Sequence, residues 1–276
     1  MEGKRVLITG GNSGIGIVTA KELAKQGAEI VLACRDTTKT ADALKVINAG
    51  ASTPAINLPV ELDNLQSVRD LAANFLARYD RLDVLINNAG VFPPKQRMTA
   101  DGFEMQMGVN HLSHFLLTNL LLDCLKASTP SRVVTVSSKL HSGGKIDFDV
   151  FKGYDKYNSQ AAYNGSKLAN VLFAVELAKQ LEGTGVTSNV LHPGAVSTDI
   201  VRDLPWLIRK IIGMIFISPE KGALTNIMLA SDDALADSNG KYYDQCELTD
   251  YAAQADDEAL RKKLWDVSAE LTGLGG

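Results

Sequence analysis

The sequence predicts an α/β fold built on a parallel, doubly wound sheet of about seven strands with helices on both faces. Two observations predict it. Short aliphatic runs, apolar at almost every position, alternate with longer stretches of helical periodicity; strands covered on both faces read this way, whereas half-exposed strands alternate. No internal repeat, low-complexity tract or linker divides the 276 residues, so one domain, 1–276, is expected.

In chain order the strands are expected at Arg5–Thr9, Glu29–Ala33, Ala55–Val60, Leu82–Ile86, Arg132–Val136 and Val186–Leu191. Helices are expected between them at Gly14–Gln26, Thr37–Asn48, Leu65–Tyr79, Gly102–Lys126 and Tyr163–Leu181, each a right-handed crossover. Beyond Leu191 the rhythm changes. Asp199–Ser218 is rich in large aliphatics and fits no strand. Pro219–Ala230 reads as a helix with proline at its first position. Lys241–Tyr243 is a candidate seventh strand and Glu258–Leu271 a last helix.

Composition narrows the function classes. Hydrophobic residues make up 45% of the chain, enough for a large core, and the net charge is −4, without the basic excess of a nonspecific nucleic-acid binder. Cys34, Cys124 and Cys246 are odd in number and lack zinc-ligand spacing, which points to reduced thiols in a cytoplasmic compartment. The first strand begins too early to leave room for a signal peptide, and no apolar run is long enough to span a bilayer.

The first strand runs directly into Thr9-Gly10-Gly11-Asn12-Ser13-Gly14-Ile15-Gly16, and a helix follows. Glycines permit a tight turn and close approach of the backbone to a diphosphate. Amides at the helix start supply donors, and the helix dipole favours the negative charge. The spacing Gly-x3-Gly-x-Gly differs from Gly-x-Gly-x-x-Gly, and the Gly-Lys-Ser/Thr ending of a triphosphate loop is missing. A dinucleotide held by Gly10, Asn12, Ser13, Gly14, Ile15 and Gly16 is therefore expected. After the second strand comes Cys34-Arg35-Asp36. The Arg35 guanidinium suits a ribose 2′-phosphate, which favours NADP(H) over NAD(H). Asp36 either holds the ribose hydroxyls or caps the helix beginning near Thr37.

Tyr163-Asn164-Gly165-Ser166-Lys167 opens an amphipathic helix, and residues four apart share a face, so the phenol and the ammonium can address one site. A free tyrosine is only about 0.1% phenolate at neutral pH, and half-ionising it takes roughly 4 kcal/mol. A neighbouring lysine and a cationic nicotinamide can supply that, and such tuning is what a general acid/base needs.

In order along the chain stand the glycine loop, Asn87-Asn88-Ala89-Gly90, Asn110, Ser137-Ser138 and the Tyr163/Lys167 pair. With these the sequence resembles the short-chain dehydrogenase/reductase family over nearly its whole length. It is most similar to the retinol dehydrogenase-like branch, through Leu32–Asp36, Ala162–Asn170, Leu191-His192-Pro193-Gly194 and Leu264–Ser268. The resemblance implies a Rossmann-type domain in which Tyr163 exchanges a proton with the substrate oxygen. Lys167 then binds the nicotinamide ribose and depresses the tyrosine's pKa, Ser138 bonds the substrate oxygen, and Asn110 holds a water beside Lys167. It also implies cofactor contacts from Asn88, Ala89 and Gly90, and from Pro193, Gly194, Val196 and Thr198. Where the family carries an adenine-contacting aspartate, this chain has Glu61, followed by Leu62, with Asp63 as the rival position.

The stretch Lys139–Ala162 is longer than in compact members and is expected in the pocket wall. By the same resemblance Asp199–Ser218 covers a lipophilic small-molecule substrate. Core packing and an amphipathic helix seated on anionic lipid through Arg209 and Lys210, a peripheral membrane contact, are its alternatives. His111, His114, His141 and His192 read as satisfied or exposed histidines, with no metal site, and Cys34 as an unreactive thiol beside the cofactor. A homodimer or homotetramer through the Gly102–Lys126 and Tyr163–Leu181 helices is implied by resemblance alone. The implied activity is hydride transfer between NADPH and a carbonyl or alcohol carbon. Its rivals are a silent dinucleotide-sensing protein and a carbon–carbon double-bond reductase on the same scaffold.

Overall fold

The computed structural model describes residues 1–194 and 218–274. The first half follows the expected rhythm: β1 (Arg5–Thr9), α1 (Gly14–Lys25), β2 (Glu29–Cys34), α2 (Thr38–Asn48), β3 (Ile56–Pro59), α3 (Leu65–Arg78) and β4 (Val84–Asn87). Thr37, not Asp36, caps α2, its hydroxyl accepting from the Thr40 amide. Asn64 caps α3 by accepting from the Gln66 and Ser67 amides.

The expected helix Gly102–Lys126 is broken. Gly102 sits at φ +80°, outside helical space. The helix starts only at α4 (Met105–Met107), capped by the Glu104 carboxylate, and passes through a π turn at Gly108–Leu112 into α5 (Ser113–Leu120) and α6 (Leu122–Ala127). Such π insertions are frequent at functional positions, and this one carries Asn110.

β5 (Ser131–Val136) leads through two 3₁₀ turns, Lys139–Gly143 and Phe148–Lys152, into α7 (Ser159–Gln180). That helix begins a turn before Tyr163, because the Asn158 side chain caps it by accepting from the Ala161 amide. β6 (Val186–His192), α8 (Pro219–Ser231), β7 (Tyr242–Asp244) and α9 (Glu258–Leu271) complete the expected set.

The strand order is β3-β2-β1-β4-β5-β6-β7-β8, eight strands where about seven were expected. The addition, β8 (Glu247–Thr249), is antiparallel to β7 and exposed. It was invisible in sequence because its two-residue turn is Gln245-Cys246, both at positive φ, 49° and 71°, where Asn-Gly is the usual signal. Everything from β3 to β7 is parallel. The chain leaves β1 toward β2 and β3, then returns on the other side as β4, so the carboxyl ends of β1 and β4 flank a crevice where such sheets bind ligands.

Alternate side chains of the strands feed two cores. Leu7, Val31, Leu85 and Val133 pack against α3, α5 and α7. Val6, Ile8, Leu32 and Ile86 pack toward α1, α2 and α8. Over the first of these layers lies α9. The Trp265 ring meets Phe115 at 4.9 Å and stacks on Phe173 at 5.9 Å. His111 Nε2 and Ser268 Oγ are 2.8 Å apart. Arg261 Nε reaches Glu176 Oε2 at 3.2 Å with both side chains almost wholly buried. The helices through which a homodimer or homotetramer was implied are thus covered within one chain, and α7 is buried continuously from Gly165 to Ala178.

The Arg261–Glu176 pair makes a testable contribution. Arg261→Ala leaves a carboxylate buried without its cation and should lower the unfolding free energy by about 3–5 kcal/mol, while Arg261→Met with Glu176→Leu should recover most of it. Urea unfolding of both variants checks this; a loss under about 1 kcal/mol in the single variant would mean that the pair is solvated.

Candidate active site

The cavity at the crevice has a volume of about 400 Å³ and runs from the β1–α1 loop past the ends of β2 and β3 to α7. Its floor is the glycine loop. Gly10 and Gly14 take positive φ, 66° and 52°. A Cβ on Gly16 would stand 2.3 Å from the Gly10 carbonyl oxygen, so the loop folds this tightly only around glycine. The Ser13 side chain makes no capping bond to α1, and Asn12, Ser13, Gly14 and Ile15 line the cavity where the helix begins. Amides and helix dipole at this end suit a diphosphate.

Opposite the loop stand Asn88, Ala89 and Gly90, which also line the cavity. Thr9 Oγ1 accepts from the amides of Asn88 at 2.9 Å and Ala89 at 3.0 Å, and Asn88 Nδ2 donates to the Thr9 carbonyl at 2.8 Å. The Thr9 hydroxyl in turn lies 2.9 Å from His114 Nε2, and His114 Nδ1 lies 3.1 Å from the Asn110 carbonyl. A carbonyl only accepts, so Nδ1 carries the proton and Thr9 donates to Nε2.

At the far end Arg35, Glu61, Leu62 and Asp63 line the cavity as expected, whereas Asp36 is exposed and does not. Lys39, unanticipated, joins them. The signal was two cations four residues apart just after the second strand. Thr40 Oγ1 ties this corner together, donating to the Arg35 carbonyl at 2.6 Å and accepting from Asn12 Nδ2 at 2.9 Å. Burial pushes the Cys34 thiol up to about 11, which keeps it protonated and unreactive.

The other end carries the Tyr/Lys pair. Tyr163 and Lys167 line the cavity yet are almost inaccessible, 8% and 2% exposed. Ser138 stands close enough to the phenol to act on its ionisation, while its neighbour Ser137, not Ser138, lines the cavity. Lys167 Nζ donates to the Val136 carbonyl at 3.0 Å and lies 5.7 Å from the Tyr163 ring centre. Burial pushes the phenol up to about 12, only partly opposed by Ser138, and pushes the ammonium down to about 8. Loss of water disfavours both charged forms.

Asn110 does stand beside Lys167: a Cβ on Gly90 would lie 3.5 Å from both Asn110 Oδ1 and Lys167 Nζ. Its side chain, however, is engaged with protein, accepting from the Val91 amide at 2.8 Å and donating to Ser166 Oγ at 2.9 Å. Pro193 lines the cavity, and Gly194 follows it at φ +87°. Val196, Thr198 and all but Ser218 of the expected covering segment 199–218 lie outside the described residues.

Sequence reading missed Phe92. Its ring packs on Tyr163 with centres 4.7 Å apart, and with Val91, Pro93, Met105 and Val109 it gives this end an apolar wall. Only its place two residues after the Asn-Ala-Gly turn marked it. Of the histidines, His111 and His114 are wholly buried and engaged with Ser268, Thr9 and the Asn110 carbonyl.

The family described as short chain dehydrogenase matches residues 4–205. The chain is a short-chain dehydrogenase. This short-chain dehydrogenase is 45% identical to retinol dehydrogenase 14 of Mus musculus, over 99% of this chain and 87% of that protein. It is 46% identical to retinol dehydrogenase 13 of Homo sapiens, over 99% and 85%. Among solved structures it is similar to an uncharacterised protein from Mycobacterium Paratuberculosis, with TM-score 0.79 and 33% identity over 99% of this chain and 94% of that one. It is also similar to the RhlG/NADP active-site complex of Pseudomonas aeruginosa, with TM-score 0.72 and 26% identity over 88% and 95%. It is thus an oxidoreductase acting on CH–OH groups through a nicotinamide dinucleotide, a cofactor that the glycine cradle and the uncapped start of α1 fit.

Burial of the two imidazoles ties the stability of this short-chain dehydrogenase to pH. Their values fall to about 3 for His111 and about 4 for His114, chiefly by desolvation, against an unfolded value near 6.5. Between these limits the unfolded chain binds more protons, so stability is lost as pH falls from about 6.5 toward 4, by at most about 1.4 kcal/mol per pH unit for each imidazole. Urea midpoints measured from pH 7 to 4.5 should decline steadily; a flat profile would show both rings to be hydrated.

Proposed function

We propose that this protein is an NADPH-dependent carbonyl reductase that moves a hydride between nicotinamide and a carbonyl or alcohol carbon of a lipophilic small molecule. One observation carries the reading: a buried phenol, near Ser138 and next to Lys167, stands at one end of a cavity whose other end presents Arg35 and Lys39. The two cations suit a ribose 2′-phosphate, and no cavity-lining carboxylate stands directly after β2 to hold the hydroxyls of NADH. The apolar wall of Val91, Phe92, Pro93 and Met105, and the relatives named retinol dehydrogenases, support a lipophilic substrate.

The bound nicotinamide supplies the hydride. Ser138 orients the carbonyl oxygen by hydrogen bonding, and Tyr163 delivers its proton to that oxygen as the carbonyl becomes an alcohol. Burial holds the phenol in its protonated form at neutral pH, the form that donates in reduction. Lys167, with its value near 8, is mostly an ammonium at pH 7 and offsets the charge left on the tyrosine oxygen. Glu61, Leu62 and the 88–90 loop would hold the adenosine half, and the amides at the start of α1 would hold the diphosphate.

Tyr163→Phe should bind NADPH within about twofold of wild type but lose at least about 100-fold in kcat toward retinal or long-chain aldehydes, followed at the NADPH absorbance. Full turnover in that variant would reject the assigned donor. Arg35→Ala should lower kcat/KM for NADPH by about 10-fold or more and leave NADH nearly unchanged, since one charge-assisted pair to phosphate is removed. An equal loss with both dinucleotides would remove the NADPH preference.

A further inference from the structure

Ser138 is held from behind. Its carbonyl oxygen accepts twice from one residue, from the His141 amide at 3.0 Å and from His141 Nδ1 at 2.7 Å. The other ring nitrogen, Nε2, accepts from the Ala252 amide at 3.0 Å. A carbonyl can only accept and an amide can only donate, so the two bonds together demand the neutral imidazole with its proton on Nδ1. The ring is 3% exposed and packs against Tyr242, with centres 4.8 Å apart.

Ala252 belongs to the C-terminal segment. Its carbonyl starts the 3₁₀ turn Ala253–Asp256 by accepting from the Ala255 amide at 2.8 Å, and the Ala255 carbonyl accepts from Arg261 Nη1. Arg261 pairs with Glu176 on α7, the helix that carries Tyr163 and Lys167. A second link runs in parallel, from Gln254 Nε2 to the Gly144 carbonyl at 3.2 Å. The connection from Ser138 through His141 and the C-terminal segment therefore closes back on the helix of the phenol that Ser138 must meet.

We propose that His141 is a positioning residue for the reductase: it sets the place of Ser138 relative to Tyr163 by bridging the Ser138 carbonyl to the Ala252 amide, and acid releases the bridge. The inference rests on the carbonyl-reductase reading. Protonation at Nε2 turns the acceptor into a donor facing another donor, so the bond to Ala252 is lost as pH falls. Burial already holds this imidazole below its ordinary value of 6.5, which puts the release on the acid side of neutrality.

Among the described residues, the charged and titratable groups near the ring are few. Tyr242 and Asp244 come from β7, Lys139 from its own turn, in an ion pair with Asp244 at 3.7 Å. His192 comes from β6 with its Nδ1 unpartnered, Lys167 from α7, and Tyr251 with Asp256 from the C-terminal segment. Of these only His192 is an imidazole with an ordinary value in the same window, and it serves as the control.

The test is kcat at saturating NADPH from pH 5 to 8 for wild type, His141→Gln, His141→Phe and His192→Gln. Glutamine can donate to one partner and accept from the other but does not titrate. Wild type and His192→Gln should lose kcat below pH 6.5 with the KM for NADPH unchanged. His141→Gln should keep the neutral rate within about threefold and lose the acid limb, and His141→Phe should lose about tenfold or more at every pH. An acid limb that persists in His141→Gln, or a wild-type rate in His141→Phe, overturns the proposal. Exchange of the Ala252 amide, followed by NMR, reads the bridge independently of turnover. Its protection factor should drop between pH 7.5 and 5.5 in wild type and hold in His141→Gln; equal behaviour in both overturns the bridge. If wild type reduces no carbonyl at all, the functional reading fails, and the exchange measurement still decides whether acid opens the contact.

Discussion

A single buried hydroxyl holds the crevice together. Thr9 Oγ1 has one proton to give and two lone pairs to offer, and all three are engaged: His114 on one side, the amides of Asn88 and Ala89 on the other. It thereby fastens the end of β1 to the loop after β4 at the point where the strand order reverses. His114 carries the connection on to the Asn110 carbonyl within the π turn. The glycine loop, the 88–90 loop and the asparagine beside Lys167 are therefore one mechanical unit. A methyl group in place of that hydroxyl would leave two amides and one ring nitrogen without partners in a dry interior, where each unmade bond is expensive.

Desolvation acts on both members of the pair on α7. Viewed from the sequence, a lysine four residues from a tyrosine ought to make the phenol more acidic. In the folded protein the lysine's ammonium is turned to the Val136 carbonyl, and both groups sit where water does not reach. Each is pushed toward its uncharged form, the phenol upward and the ammonium downward. What the arrangement preserves is a protonated donor at the cavity wall, with a cation close enough to receive the charge that forms when the proton leaves.

Much of this was legible in the sequence, for reasons that are local. Runs such as Val6–Ile8 and Val84–Ile86 are apolar throughout because both faces of the sheet are covered. Gly10, Gly14 and Gly16 announce themselves because no other residue tolerates their φ or their contacts. Tyr163 and Lys167 are one helical turn apart. The unread features have no local signature. The His114–Thr9 bond joins residues 105 apart, and the His141–Ala252 bond joins residues 111 apart. Nothing in the Gly102–Lys126 pattern revealed the π turn, since one extra backbone unit shifts the face without changing the composition. The β7–β8 turn escaped because Gln245 and Cys246 adopt a conformation usually reserved for asparagine and glycine.

The covering of α7 by α9 reaches back to the way the molecule is made. A helix buried from Gly165 to Ala178 has an oily outer face until Trp265 and Leu264 arrive nearly a hundred residues later. While the ribosome is still producing β6 through β8, that face has nothing of its own chain to rest on. The newborn protein thus passes through an interval in which its longest described helix is open to chaperones or to other nascent chains. Only when residues 258–271 emerge from the exit tunnel can the helix bearing the phenol settle into its final place.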